Sequence, residues 1–266
     1  MSIVFTKSCE KYLRVRECLS YSLPDFQKTL DKIGKKGYDV FMCEIQSILE
    51  KITVNPQGEK VTVLGASKTR TAEEIIAVYR KGVTVMGENR AQEFTAKYDA
   101  VHLEGIPYRF IGRLQTNKVK YLIGKVDMIE SVDRVDVLNE ISKRSVKAGV
   151  ITRILLEING GNEESKGGYA LKEIPEAVKY ASSLPGVQVC GLMAVLPDTE
   201  NVAELTEICK SVRKTYDEIK TAYEGAENVC FTTLSMGMSG DYEIAIACGS
   251  NEIRLGRILF GERNYV

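Results

Sequence analysis

From Val61 to Gly261 the chain alternates short β-rich runs with segments of helical periodicity, eight times over, and this alternation limits its fold more than any other feature. The strand candidates are VTVLGAS (61–67), VTVMGEN (83–89), YRFIGR (108–113), VDMIESV (126–132), ITRILLEIN (151–159), VQVCGLMAV (187–195), NVCFTTLSM (228–236) and EIRLGRILFG (252–261). Between them lie TAEEIIAVYRKG, RAQEFTAKYDAV, TNKVKYLIGK, DRVDVLNEISKRSVKAG, LKEIPEAVKYASSLPG, NVAELTEICKSVRKTYDEIKTAYEG and GDYEIAIACG, most with apolar residues three or four apart. A strand, a returning helix and a second strand make a parallel pair, because parallel neighbours need a crossover of about a dozen residues. The order predicts a single α/β domain, a closed (β/α)8 TIM barrel; an open doubly wound sheet is the alternative that pattern alone leaves.

A further helix, YDVFMCEIQSILEKI (38–52), precedes the first strand, with Val40, Ile45, Ile48, Leu49 and Ile52 forming one apolar stripe. No proline- or glycine-rich break follows Val61, so the barrel domain is placed at 39–266. Residues 1–38 are only weakly periodic and end in Gly34-Lys35-Lys36-Gly37, which reads as a linker after a separate N-terminal extension.

Lysine plus arginine and aspartate plus glutamate both total 36, so no net field recruits nucleic acid or an acidic membrane. The seven cysteines include no C-x-x-C pair, and the lone histidine, His102, rules against multi-histidine metal sites and histidine-based triads. Reduced thiols, no apolar run of membrane-spanning length and no signal-type block at the N-terminus point to a cytoplasmic protein. His102 lies in DAVHLEGIP, beside Gly105 and Pro107, and reads as a surface loop residue.

Reactive groups of such barrels collect where strands end and helices begin. The candidate rim holds Ser67 and Lys68 after the first strand, Glu88 and Asn89 after the second, Arg113 and Gln115 after the third, and Glu130, Ser131 and Asp133 after the fourth. A lysine emerging from an apolar strand loses hydration, which leaves more neutral amine to attack an aldehyde; a lysine that merely snorkels to water is the plainer reading. LSMGMSGD, with Ser235, Gly237 and Ser239, offers hydroxyls and backbone N–H groups to an anion at the end of the seventh strand, and RLGR, Arg254 to Arg257 with Gly256, follows the eighth. Phosphate sites form frequently after strands seven and eight of this fold. A phosphate site and an amine at one mouth favour a phosphorylated aldehyde, pyridoxal 5′-phosphate or an aldolase's sugar phosphate.

The chain resembles the YggS/PROSC family of pyridoxal-phosphate-binding homeostasis proteins from about Val40 to Tyr265. The resemblance is carried by SKT (67–69), GEN with QE (87–93), FIGRLQTNKVK (110–120), SVD (131–133), ESKGG (164–168), GLM (191–193), LSMGMSGDYEIAI (234–246) and IRLGRILFGERNY (253–265). It implies a barrel like the N-terminal domain of alanine racemase, with pyridoxal 5′-phosphate held as an internal aldimine on Lys68. It further implies Arg254 facing the pyridine nitrogen, Asn89 beside the ring, and Ser235 or Ser239 holding the phosphate with backbone N–H groups around Gly256 and Arg257. Two positions depart from the pattern: Tyr108 and Arg109 stand where many relatives read tryptophan-histidine, and Arg257 where many carry a small hydroxyl residue.

An arginine at the pyridine nitrogen disfavours its protonation and weakens the ring as an electron sink. The racemase's opposite-face base comes from the partner chain of a dimer built through a second domain, for which the residues up to Val266 leave no room. The expectation is a monomeric cofactor carrier for intracellular PLP homeostasis, not an enzyme, serving apo PLP-dependent enzymes; a small racemase-like enzyme is the alternative. Lys118, Lys120 and Lys166 are candidate secondary docking amines.

Overall fold

The computed structural model describes residues 45–161 and 167–261, within one compact unit, Cys43–Val266. The expected extension 1–38, the start of the first helix and Lys166 lie outside the described residues.

Eight parallel strands close a barrel in sequence order: β1 (Thr62–Ala66), β2 (Val85–Glu88), β3 (Tyr108–Phe110), β4 (Met128–Val132), β5 (Thr152–Asn159), β6 (Val187–Val195), β7 (Val229–Met236) and β8 (Glu252–Leu255). β1 pairs with β2 and with β8, so the chain's first and last strands are neighbours. The intervening helices are α1 (Ala72–Tyr79), α2 (Ala91–Leu103), α3 (Val135–Ala148), α4 (Ile174–Ser182), α5 (Val202–Ala222), α6 (Tyr242–Ala247) and α7 (Arg257–Phe260), and a helical turn over 45–51 precedes them. The expected barrel is the one observed.

Local signals account for the helix limits. Thr71 caps α1 in a reciprocal box with Glu74, satisfying two otherwise unpaired N–H groups. α3 stops at Gly149, whose φ of 67° suits a residue without Cβ. In α5, Leu205, Cys209, Val212, Tyr216 and Ile219 recur every three or four residues and are all buried.

Three expectations are revised. The eighth run is a strand only to Leu255, because the chain turns at Gly256 and coils into α7. TNKVKYLIGK forms a 3-10 helix over Thr116–Tyr121, in place of a longer α-helix. His102 is exposed as expected, but it sits in the last turn of α2, stacked on Tyr98 with ring centroids 5.0 Å apart.

The pairings of β5 with β6 and of β6 with β7 both shift register around Cys190 and Gly191. Gly191 has a φ of 144°, and a Cβ there would lie 1.8 Å from the Thr233 carbonyl oxygen, so only glycine fits. One part of the core packs Met128, Leu155, Cys190 and Met193 with Val195 against them. The four described cysteines, Cys190, Cys209, Cys230 and Cys248, are free thiols.

Candidate functional site at the barrel mouth

Lys68 is half-buried in the turn that leaves β1. Ser67 ties that turn inward: its N–H and its hydroxyl each donate to the Gly87 carbonyl at 2.9 Å, and its oxygen lies 2.7 Å from the Tyr108 hydroxyl. Burial and the Glu88 carboxylate push the Tyr108 phenol well above its ordinary pKa, so it stays protonated. Thr69 adopts a left-handed backbone, φ 65°, uncommon for a β-branched residue. Asn89 follows β2; its N–H donates to Glu88 Oε1 at 2.7 Å, while its buried Oδ1 has no hydrogen-bond partner among the described residues.

Arg254, buried in β8, donates through Nη1 to the Ser235 carbonyl (2.8 Å) and hydroxyl (2.9 Å), and through Nη2 to the Ala194 carbonyl (2.9 Å). Ser235 in turn donates to Glu130 Oε2 at 2.9 Å, and Glu130 Oε1 accepts from Arg109 Nη1 at 3.2 Å. Arg109 Nη1 also pairs with Glu252. These contacts join β3, β4, β6, β7 and β8, and contacts between non-adjacent strands of a closed barrel run through its interior. The barrel therefore contains two arginines and two carboxylates in one hydrogen-bonded chain.

Glu252 is pushed well above the usual carboxylate range, chiefly by burial and then by Glu130, with Arg109 opposing. Glu157 in β5 is pushed up to about 7, by burial first and by Asp133 next, against the pull of Arg254 and Arg113. Arg254 is thus bordered by a carboxyl group that titrates near neutrality.

The loops after β7 and β8 supply donors. Gly237, φ 101°, lets its loop approach α6, since a Cβ would lie 2.6 Å from Ala245 Cβ. Its carbonyl accepts from the Arg254 N–H at 2.9 Å, which ties the two loops together. The 238–241 turn closes with Asp241 and Tyr242 N–H on the Met238 carbonyl, leaving the N–H groups of Ser239 and Gly240 without a backbone acceptor among the described residues. At the start of α7 the same holds for Arg257 and Ile258, as the first amides of any helix lack intrahelical partners. Gly256 lies against Ala66, two residues before Lys68, with 3.7 Å from its would-be Cβ to the Ala66 oxygen. A cleft of about 850 Å³ opens on the other side, beside Asn89, lined among others by Arg90, Arg113, Lys118 and Arg134.

The structure thus brings Lys68, Arg254, Gly256 and Arg257 to the adjoining ends of β1 and β8, with Ser235, Gly237 and Ser239 on β7 and its loop beside them, and Asn89 on the far flank of β1. The Ser235 side chain is fully buried and already engaged, whereas Ser239 is half-exposed with no side-chain bond to a described residue; Arg257 is exposed. Two rim expectations are corrected. Glu88 and Glu130 are fully buried, Glu88 in a 2.5 Å ion pair with Lys97 of α2 and Glu130 inside the barrel, because a strand sends alternate side chains to its two faces. Glu252, two residues before Arg254, pairs with Arg109 of β3. Sequence reasoning placed Glu157 at the end of the fifth strand but missed Arg109, Glu93 and Lys97 as site supports, although a glutamate within an apolar strand, as in MIESV and EIRL, is a legible sign of a buried partner. Lys118 is half-buried and Lys120 exposed on the 3-10 helix. Among the described residues no group of His, Cys, Asp and Glu could hold a metal ion, and no helix is long and apolar enough to cross a membrane.

The family described as alanine racemase, N-terminal domain, matches residues 46–264. A pyridoxal phosphate homeostasis protein of Aquifex aeolicus is 45% identical over 203 residues, which is 76% of this chain and 87% of that protein. Among solved structures, a protein of unknown function from Bifidobacterium adolescentis superposes with a TM-score of 0.76 at 35% identity, covering 84% of this chain and 96% of that one. PipY of Synechococcus elongatus, solved with PLP bound, superposes with a TM-score of 0.72 at 27% identity, covering 83% and 100%. With its barrel matched almost end to end and this degree of identity, the chain belongs to the alanine racemase N-terminal domain family and, within it, to the YggS/PROSC group of pyridoxal phosphate homeostasis proteins.

Proposed function

We propose that this chain binds pyridoxal 5′-phosphate through Lys68 and serves to hold and hand on the cofactor within the cytoplasm, as a monomer, without robust turnover of its own. The observation that carries the reading is the meeting, at the adjoining ends of β1 and β8, of a half-buried lysine, a buried arginine and two loops whose N–H groups have no backbone acceptor among the described residues. When bound, the cofactor supplies an aldehyde that condenses with a neutral primary amine, releasing one water, to a reversible Schiff base.

The chain's own residues divide the remaining work. The N–H groups at 239–240 and 257–258 offer donors to the phosphate, where Ser239 adds a hydroxyl and the exposed Arg257 a cation. Ser235, held between Arg254 and Glu130, orients the guanidinium in place of gripping phosphate. Arg254 presents a permanent positive charge to the pyridine nitrogen, which disfavours protonation there and suits a carrier better than a catalyst. The buried Oδ1 of Asn89, without a partner among the described residues, offers an acceptor to a donor on the ligand. A relative's structure with PLP bound and the homeostasis names of the curated relatives support cofactor binding; apo PLP-dependent enzymes are the recipients this reading assigns.

The test is the near-ultraviolet and visible spectrum of the protein incubated with pyridoxal 5′-phosphate, with and without borohydride, followed by mass mapping. The fixed adduct is expected on Lys68 and absent from Lys68→Met; an adduct on another residue overturns the site. Incubation with L-amino acids should leave their chirality unchanged, and sustained racemisation at ordinary enzyme rates overturns the carrier reading.

A further inference from the structure

Two residues of α2 reach back over the turn that carries Lys68. Glu93 Oε2 accepts the Thr69 N–H at 2.7 Å, and Lys97 Nζ donates to the Ser67 carbonyl at 3.3 Å. These are the two peptide groups that meet at the Lys68 Cα, one on each side. Glu93 and Lys97 stand four apart and so share a face of the helix. Lys97 Nζ also pairs with Glu88 Oε2 at 2.5 Å and lies 3.9 Å from Glu93 Oε2; Glu93 Oε1 lies 3.4 Å from Arg90 Nη1.

Two features of this arrangement exceed what anchoring a helix requires. Lys97 is 11% exposed and Glu88 fully buried, and burying an ion pair carries a desolvation cost that apolar packing would avoid. The turn it grips contains Thr69 in the left-handed region, which a β-branched residue adopts only at a cost, and such residues persist only where their surroundings over-determine them.

We propose that the Glu93–Lys97 edge of α2 is a positioning device for the Lys68 amine: by gripping the peptide groups on both sides of Lys68 it sets the direction in which the side chain leaves β1. The inference rests on Lys68 as the reactive amine of the proposed function. Glu93 acts as an acceptor for one N–H, so a neutral acceptor of the same shape should suffice. Lys97 acts through a carbonyl and through Glu88, which in turn accepts the Asn89 N–H and carries the hold across to β2.

Glu93→Ala and Glu93→Gln in the full chain test this. In the cofactor-free protein, trace acetylation read by mass spectrometry reports the reactivity of Lys68 relative to exposed Lys120; in parallel, pyridoxal 5′-phosphate is titrated by absorbance. Glu93→Ala is expected to change Lys68 labelling by about threefold or more and to weaken cofactor binding by about tenfold, the worth of one hydrogen bond to a charged acceptor. Glu93→Gln should restore both to within about twofold, with the melting temperature of each variant close to the parent's. Parental labelling and affinity in Glu93→Ala, or a Glu93→Gln variant as impaired as Glu93→Ala, overturns the proposal. The labelling arm uses no cofactor, so a borohydride adduct mapping away from Lys68 would refute the proposed function and leave the positioning inference to be judged on Lys68 labelling alone.

Discussion

Replacing Arg109 with methionine should destabilise the barrel in a strongly pH-dependent way. Its guanidinium serves Glu130 at 3.2 Å and Glu252 in closer contact, with Asp127 at 3.8 Å from Nε, and Glu130 and Glu252 are both buried. Glu252 is already driven toward its neutral form by burial and by Glu130, so removing the cation chiefly strands the Glu130 carboxylate in the interior, and breaking a buried pair from one side costs about 3–5 kcal/mol. The variant can escape only by protonating a carboxyl group whose unfolded pKa is about 4.3, at about 1.4 kcal/mol per pH unit and proton. The folded pKa is raised, so the penalty is absent below the unfolded value and grows with pH up to the raised one. We therefore expect a loss of about 3–5 kcal/mol at pH 8 that falls to about 1 kcal/mol at pH 5, where protonating one group costs about that much. Urea unfolding at the two pH values reads it directly. An equal loss at both would show that Arg109 contributes packing and not charge, and a loss under about 1 kcal/mol at pH 8 would refute the account of the interior.

Two other substitutions probe the same region. Glu157→Gln should flatten the pH dependence of stability: a carboxyl pushed up to about 7 makes folding take up a proton between about pH 4.5 and 7, so the parent loses up to about 3 kcal/mol across that window and the variant keeps it, as parallel urea titrations at pH 5 and pH 8 would reveal. Equal slopes in parent and variant would contradict the assignment. Gly191→Ala forces a Cβ to 1.8 Å from the Thr233 oxygen at a φ of 144°, and should cost more than about 3 kcal/mol in thermal or urea unfolding. A change under about 1 kcal/mol would mean that the register shift at β6 is not held by that glycine.

Much of the site was legible before the fold. SKT at the end of an apolar run placed an amine at a strand terminus, and LSMGMSGD and RLGR marked the loops after the last two strands. What could not be read was the division of labour within them. The sequence left Ser235 and Ser239 as equal candidates for a phosphate; only the fold turns Ser235 inward to Arg254 and Glu130 and leaves Ser239 half-exposed. Arg109 looked like a departure from a family pattern, and its partners are Glu130 and Glu252, the latter 143 residues further on. No local window contains that pairing.

By itself, then, the sequence determined the number and order of the strands and the helical nature of the segments between them, since periods of two and of about 3.6 residues are written locally in side-chain polarity. It also determined the chemistry available at the mouth: a lysine, the two arginines of RLGR and two glycine-containing loops. The tertiary structure alone decided which charged groups enter the barrel and which carboxyl is driven toward neutrality. Those outcomes depend on strand register and closure, where a shift of one residue exchanges the inner and outer faces, and on burial, which no residue possesses until its distant neighbours have excluded the water around it.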